Sequence, residues 1–297
     1  MFMLLFLTFL FTPAEGVLLE KGEPSLLMAR CEEVLYAEKH RLGLADEDLD
    51  SLHTGLVGVE FSPLTTSLGH LSDKRAAAQP AMADVVADYL QKAGVKQGDW
   101  IALNASGSFP GFTLATLCAA ETLGIHVQGV FSYGSSMYGG TDADFTFPVM
   151  LDLLNEKGLL STRFQGVAPG GAWDRMDEVL LEDPWPTVRK LMDSRPEEKI
   201  EEKEFVESIR RRHEIFSQAP KPVKCFVSCG GPWTSMGLSE EVLNVPHGLV
   251  LSYNDIPSGP DRGLIFDFLD SGVPVIHLIF ARGICADYGL PWHHRAD

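Results

Sequence analysis

The stretch Trp100-Ile101-Ala102-Leu103-Asn104-Ala105-Ser106-Gly107-Ser108-Phe109-Pro110-Gly111 decides the fold of this chain. An apolar run enters a turn of small and hydroxylic residues, and a helix-compatible segment follows without a linker. In an α/β protein that order places hydroxyls and free backbone N–H groups at the carboxyl edge of a strand. Ligands usually sit there.

The same order recurs on both sides. Strands are expected at Leu56–Phe61, Trp100–Leu103, His126–Phe131, Phe164–Ala168, Val223–Val227, Leu249–Ser252 and Val273–Leu278. Helices are expected at Glu23–Leu44, Asp73–Ala93, Gly111–Leu123, Phe145–Glu156, Glu201–Gln218 and Leu264–Leu269. Gly94, Gly124 and Gly158 stand where helices stop. Asp183–Glu198 is acidic and broken by Pro184, Pro186 and Pro196, which reads as a helical insertion or boundary. Alternating strands and helices predict an α/β fold. Its sheet is mainly parallel with helices on both faces, in Rossmann-like layers, and an N-terminal helical segment precedes it.

The expected organisation is an apolar signal or membrane anchor at 1–16, a helical linker region at 17–54 and an α/β domain at 55–297. That domain has room for two lobes, 55–171 and 220–297, joined by a charged helical segment at 172–219. The apolar run Met1–Thr12 is shorter than the ~20 residues needed to span a bilayer. Ala14-Glu15-Gly16 suits signal cleavage, but no basic residue precedes the run, so signal and anchor both stay open. Membrane association or export is expected, with the side of the membrane not fixed.

A formal charge of −17 argues against nucleic acid as a partner, because the long-range field repels phosphate. An anionic ligand needs a local cationic or N–H-lined pocket. With 45% hydrophobic residues the chain can bury a large core. The five cysteines are an odd, sparse set, expected to be buried and reduced. Cys225 and Cys229 lack the spacing of a zinc knuckle. No G-x-G-x-x-G, Walker A or H-E-x-x-H motif occurs, so no metal and no cofactor is expected.

Several strand ends carry small or hydroxylic loops: Ser62–Ser67, Ser106–Ser108, Ser132–Ser136 and Gly230–Gly231, with Gly170–Gly171 leading to Asp174. In a parallel sheet they share one edge and can line one crevice. The alternative is that α/β turns simply favour Gly, Ser and Pro. The candidate ligand-binding residues are Thr65, Thr66, Lys74, Arg75, Ser106, Gly107, Ser108, Ser135, Ser136, Gly230 and Gly231. Lys74 and Arg75 open a helix, where a cation opposes the dipole, so one of them is expected either to face an anion or to pair with Asp73. Arg210-Arg211-Arg212 reads as a solvated helix end.

Ser106 and Ser108 are also candidate nucleophiles, with His277, His70 or Asp174 as the base. The window Gly107-Ser108-Phe109-Pro110-Gly111 is not the G-x-S-x-G elbow, because proline fills one slot and serine comes early. His126 opens its strand and belongs at the opposite sheet edge.

Taken together, several blocks resemble the poly-γ-glutamate system protein family. They are Gly55–Gly69 with Thr65-Thr66, then Lys74-Arg75, Ser106-Gly107-Ser108-Phe109-Pro110, Gly134-Ser135-Ser136-Met137-Tyr138-Gly139 and Gly272–Leu278. The likeness covers about Gly55–Gly171 well and Val223–Pro291 more loosely. It implies a component of bacterial poly-γ-glutamate synthesis or export, partnered by a ligase and membrane subunits. The ligand would be glutamyl polymer or its precursor. No catalytic residue carries over. The readings left open are binding of glutamyl carboxylates or γ-amides in the crevice, cleavage or transfer of γ-glutamyl amides by a serine, and a phosphate cradle of backbone N–H groups.

Overall fold

The structure is a computed structural model that describes residues 23–177 and 180–292. The expected apolar segment at 1–16 and the terminal His293-His294 lie outside them. Among the described residues no helix is long and apolar enough to cross a membrane.

The chain runs α1 (Glu23–Arg41), β1 (Thr65–Ser67), α2 (Leu71–Ala77), α3 (Ala81–Lys92), β2 (Trp100–Ser106), α4 (Pro110–Leu123), β3 (His126–Ser132) and β4 (Ser135–Ser136). It continues through α5 (Phe147–Glu156), β5 (Gly166–Ala168), α6 (Trp185–Asp193), β6 (Glu198–Lys199), α7 (Phe205–Ser217) and β7 (Val223–Cys229). It closes with α8 (Trp233–Met236), β8 (Gly248–Val250), α9 (Leu264–Asp270), β9 (Val275–Leu278) and α10 (Ala281–Tyr288).

One sheet has the order β6-β5-β3-β2-β7-β9-β8, parallel throughout except for β8. The fold is α/β and Rossmann-like, as its alternating elements predict. Register sorts the strand residues by face. Ile101, Leu103, Phe131, Val227 and Ile276 join the core under α1, α3, α4 and α5. Ala102, Val130, Phe226 and Val275 join the core under α7 and α9. Burial on both faces explains the near-continuous apolar reading of β2, β3 and β7.

The segments 55–171 and 220–297 share this sheet, because Ala102–Ala105 pair with Phe226–Cys229 in its centre. From β2 the chain lays β3, β5 and β6 to one side, then returns to lay β7, β9 and β8 on the other. The reversal between β2 and β7 is the topological switch point. It opens a crevice outside their carboxyl ends.

Three local expectations are corrected. Leu56–Phe61 forms no strand. Its backbone meets the loop at Tyr138 instead, where Gly58 donates to the Tyr138 carbonyl and Tyr138 donates to that of Val59. The expected helix Asp73–Ala93 is two helices, α2 and α3, parted at Pro80, which has no N–H to donate and disfavours helix before it. The basic triplet is not a solvated end. Arg210 and Arg211 bridge neighbouring glutamates, but Arg212 is fully buried.

Candidate functional site

Two adjoining clefts occupy the switch point. The smaller, of about 60 Å³, is lined by Thr66, Ser106, Ser108, Ser132, Gly171 and Trp233 among others. The larger, of about 300 Å³, is lined by His70, Lys74, Ser108, Phe109, Ser136 and Ile279 among others. Ser67, Ser108 and Gly231 border both. Hollows as large or larger lie elsewhere, one of them beside Val223 where β7 begins, at the amino edge of the sheet. We favour the carboxyl edge because, among the described residues, the hydroxyl-bearing loops converge there, where the strand order reverses.

The centre of the site is the turn from β2 into α4. Ser106 is buried. Its Oγ donates to the Cys229 carbonyl at 3.5 Å and accepts from the Ser108 N–H at 3.4 Å. Gly107 donates to the Ser132 carbonyl at 2.9 Å, and a Cβ there would stand 2.7 Å from the Tyr133 oxygen. Ser108 Oγ accepts from the Ser136 N–H at 3.0 Å. Across the crevice, Gly230 has φ +78°, and a Cβ on it would lie 2.7 Å from Ser106 Oγ.

The other sequence-predicted residues divide. Lys74 and Ser136 belong to the site. Lys74 is 4% exposed, and its Nζ donates to the Ser108 carbonyl at 2.5 Å and to Ser136 Oγ at 2.6 Å. It stands 3.6 Å over the Phe109 ring, within cation–π range. Burial pulls the amine down to about 7, with Asp73 pulling the other way. Thr66 lines the smaller cleft and donates to the Ser135 carbonyl at 3.3 Å. Thr65 accepts from the Ser62 N–H at 2.9 Å and shapes its own turn. Ser135 donates to the Ser136 carbonyl at 2.8 Å and is fully buried. Arg75 points away from the crevice. Its guanidinium donates to the carbonyls of Leu49 and Asp48 and fastens that segment to α2.

Of the proposed bases, His70 borders the larger cleft with Ser108, but neither Asp174 nor His277 serves the serines of the turn. Asp174 is held by Arg212 through both carboxylate oxygens, at 2.8 and 3.0 Å. Burial pushes its carboxyl up, and the Arg212 charge opposes that shift. His277 is 2% exposed on β9, level with Ser228, which pairs with Asn104. Two strand spacings of ~4.8 Å therefore separate it from β2, at a level two residues short of Ser106. Neither ring nitrogen bonds Ser106 or Ser108. Burial lowers its pKa to about 4, and neighbouring His247 adds to this. His126 stacks on Trp100 at the far edge of the sheet, as expected.

Sequence reasoning missed the network behind the smaller cleft. Arg212 also donates to Asn104 Oδ1 at 3.1 Å and to Ser132 Oγ at 3.0 Å. Asn104 in turn donates to Thr234 at 3.1 Å and Ser235 at 2.8 Å. A signal existed. Phe205, Ile209, Arg212 and Phe216 fall on one helical stripe, so Arg212 faces the sheet. The aromatic wall of Trp173 and Trp233, with ring centroids 5.2 Å apart, was also missed. No protein-family model matches the chain, and no curated protein matches it.

Proposed function

We propose that this chain is a component of a bacterial poly-γ-glutamate synthesis and export system. In this reading it holds glutamyl polymer or its precursor in the switch-point crevice and works beside the ligase and membrane subunits. One observation carries the reading. The Thr-Thr, Ser-Gly-Ser-Phe-Pro and Ser-Ser blocks of the family resemblance, far apart in sequence, border the same pair of clefts.

The chemistry supports a carboxylate- or amide-bearing ligand. Hydroxyls of Thr66, Ser67 and Ser108 face the clefts, α4 starts at their edge, and Lys74 is the cation beside them. The surrounding charge of −17 repels a polyanion, so binding depends on this local site. Attachment to or passage through the membrane rests, in this proposal, on the apolar segment 1–16.

Titration calorimetry with γ-linked glutamate oligomers of defined length tests the reading, with α-linked oligomers as the control. Affinity that rises with γ-chain length, and falls about tenfold in Ser108→Ala, is the expected result. Absence of binding at every length, or equal binding of the α-linked chain, rejects it.

A further inference from the structure

The geometry points to Lys74 and Ser136 as a catalytic Ser–Lys dyad, with Ser136 Oγ the nucleophile and the Lys74 amine its general base. The substrate is an amide or ester carbonyl seated in the larger cleft. This deepens the reading of the crevice as a binding site, on which it rests, and does not require the occupant to be a γ-glutamyl chain.

The two atoms lie 2.6 Å apart, within reach for direct proton transfer. α2 supplies the lysine and β4 the serine, and both side chains border the same cleft of about 300 Å³. Each partner is held by a further contact. The Ser108 carbonyl takes one N–H of Lys74, and the Phe109 face packs beneath it. Ser108 Oγ takes the Ser136 N–H. Gly69 borders the serine, where a Cβ would come within 3.2 Å of Ser136 Oγ.

A lysine acts as a base only when neutral, and burial supplies that condition here. The titratable groups around it are Asp73 and His70 from its own helix and cleft. α10, which packs on α2, carries Arg282, Cys285 and Asp287, and of these Cys285 feels the Asp73 charge. With the amine neutral, its remaining N–H bonds serve Ser108 and its lone pair accepts the Ser136 O–H. Paired serine and lysine are a known variant of the nucleophile–base arrangement.

The steps balance. Ser136 Oγ attacks the carbonyl carbon while its proton passes to Lys74 Nζ. The C–N bond of the resulting tetrahedral species breaks, and the Lys74 ammonium returns the proton to the leaving amine. Water then attacks the Ser136 ester, giving its proton to Lys74. Ser136 Oγ departs and recovers that proton. An acceptor amine in place of water gives transfer.

Full-length protein is incubated with a fluorophosphonate, in which a Ser136 Oγ–P bond forms as fluoride leaves, and the adduct is mapped by mass spectrometry across pH 5–9. The dyad predicts an adduct on Ser136, with a rate that rises through an inflection near 7 and then levels. Lys74→Met and Lys74→Arg slow it by about 10²–10⁴. The wild-type pH profile needs no variant, so a misfolded Lys74→Met leaves the test intact. Failure to label Ser136 in folded protein, or labelling indifferent to pH, overturns the dyad. Oligomer binding without Ser136 labelling rejects the dyad alone. Labelling without oligomer binding rejects the polymer reading alone.

Discussion

Arg212 Nη1 lies 2.8 Å from Asp174 Oδ2, and Arg212 Nη2 lies 3.0 Å from Asp174 Oδ1. This bidentate pair is sealed from solvent behind the smaller cleft. It fastens a turn in which Trp173, Asp174 and Met176 all have positive φ, at 56°, 61° and 56°. Such conformations cost energy in non-glycine residues and persist only where surrounding contacts fix them. The pair thus holds the Trp173 wall and Gly171 against the crevice.

Removing one partner strands a buried charge. Arg212→Met is expected to cost about 3–5 kcal/mol, and Asp174→Asn a comparable amount, in urea denaturation. The double variant should lose far less than the two costs added together, because neither charge is then left alone. Strict additivity in the cycle would show that the pair does not act as a unit.

His277 governs an acid limb of stability. The unfolded chain takes this proton near the ordinary histidine value of 6.5, whereas the folded chain resists until about 4. The unfolded state therefore binds more protons between those values, and stability falls as pH drops across that window. Wild type should lose on the order of 3 kcal/mol from this group between pH 6.5 and 4. His277→Gln should lose correspondingly less over the same range. Parallel denaturation midpoints for the two proteins at pH 7, 6, 5 and 4 would exclude the effect.

The sheet was legible because β2, β3 and β7 are apolar runs ended by Gly and Ser, a signal carried within each segment. The convergence of the loops followed from parallel strands having one carboxyl edge. Leu56–Phe61 misled because Leu56 and Val57 are buried without a ladder while Val59 and Phe61 stay exposed, which composition alone does not separate from a strand. The partners of Lys74 and Arg212 were hidden for a different reason. Ser136 lies 62 positions from Lys74 and Asp174 lies 38 from Arg212, and no local period records such pairings. The local pattern therefore points to the serines of the opening turn, Ser106 and Ser108, whose hydroxyls serve as a bridge to β7 and an anchor for the Ser136 loop.

Lys74 has the opposite stability signature from a structural ion pair. The folded chain releases its proton near 7 and the unfolded chain near 10.5. The folded state binds fewer protons between these values, so stability rises with pH across that window. The buried charge is a cost fully present below 7. Lys74→Met should remove this slope, leaving stability nearly flat from pH 7 to 9, and should be at least as stable as wild type at pH 6. Its crevice chemistry should nonetheless be lost, as expected of a residue kept for function at the expense of stability. A variant less stable than wild type at every pH would recast Lys74 as a structural residue.

Gly107 tests whether the opening turn is built to close tolerances. Its missing side chain lets the β2–α4 turn lie against the Tyr133 and Gly134 carbonyls and Ser135 Cβ, and Gly140 donates to its carbonyl at 2.6 Å. In Gly107→Ala the new methyl would meet the Tyr133 carbonyl oxygen at 2.7 Å and Ser135 Cβ at 3.0 Å. Backbone on that side cannot rotate away as a side chain would, so one loop must move. The expected cost is about 1–3 kcal/mol in thermal or urea unfolding. Ser108 moves with the turn, so the Ser136 N–H loses its acceptor and the Lys74 amine loses the Ser108 carbonyl. Ligand binding and Ser136 reactivity should therefore fall further than the stability loss alone explains when measured well below the melting transition. Gly98→Ala supplies the comparison. Gly98 has φ +81° and open space around its Cβ, so the change should lower stability through backbone strain while leaving the crevice functional. Equal functional losses in the two variants would mean that global stability, and not the packing of this turn, sets the activity of the site.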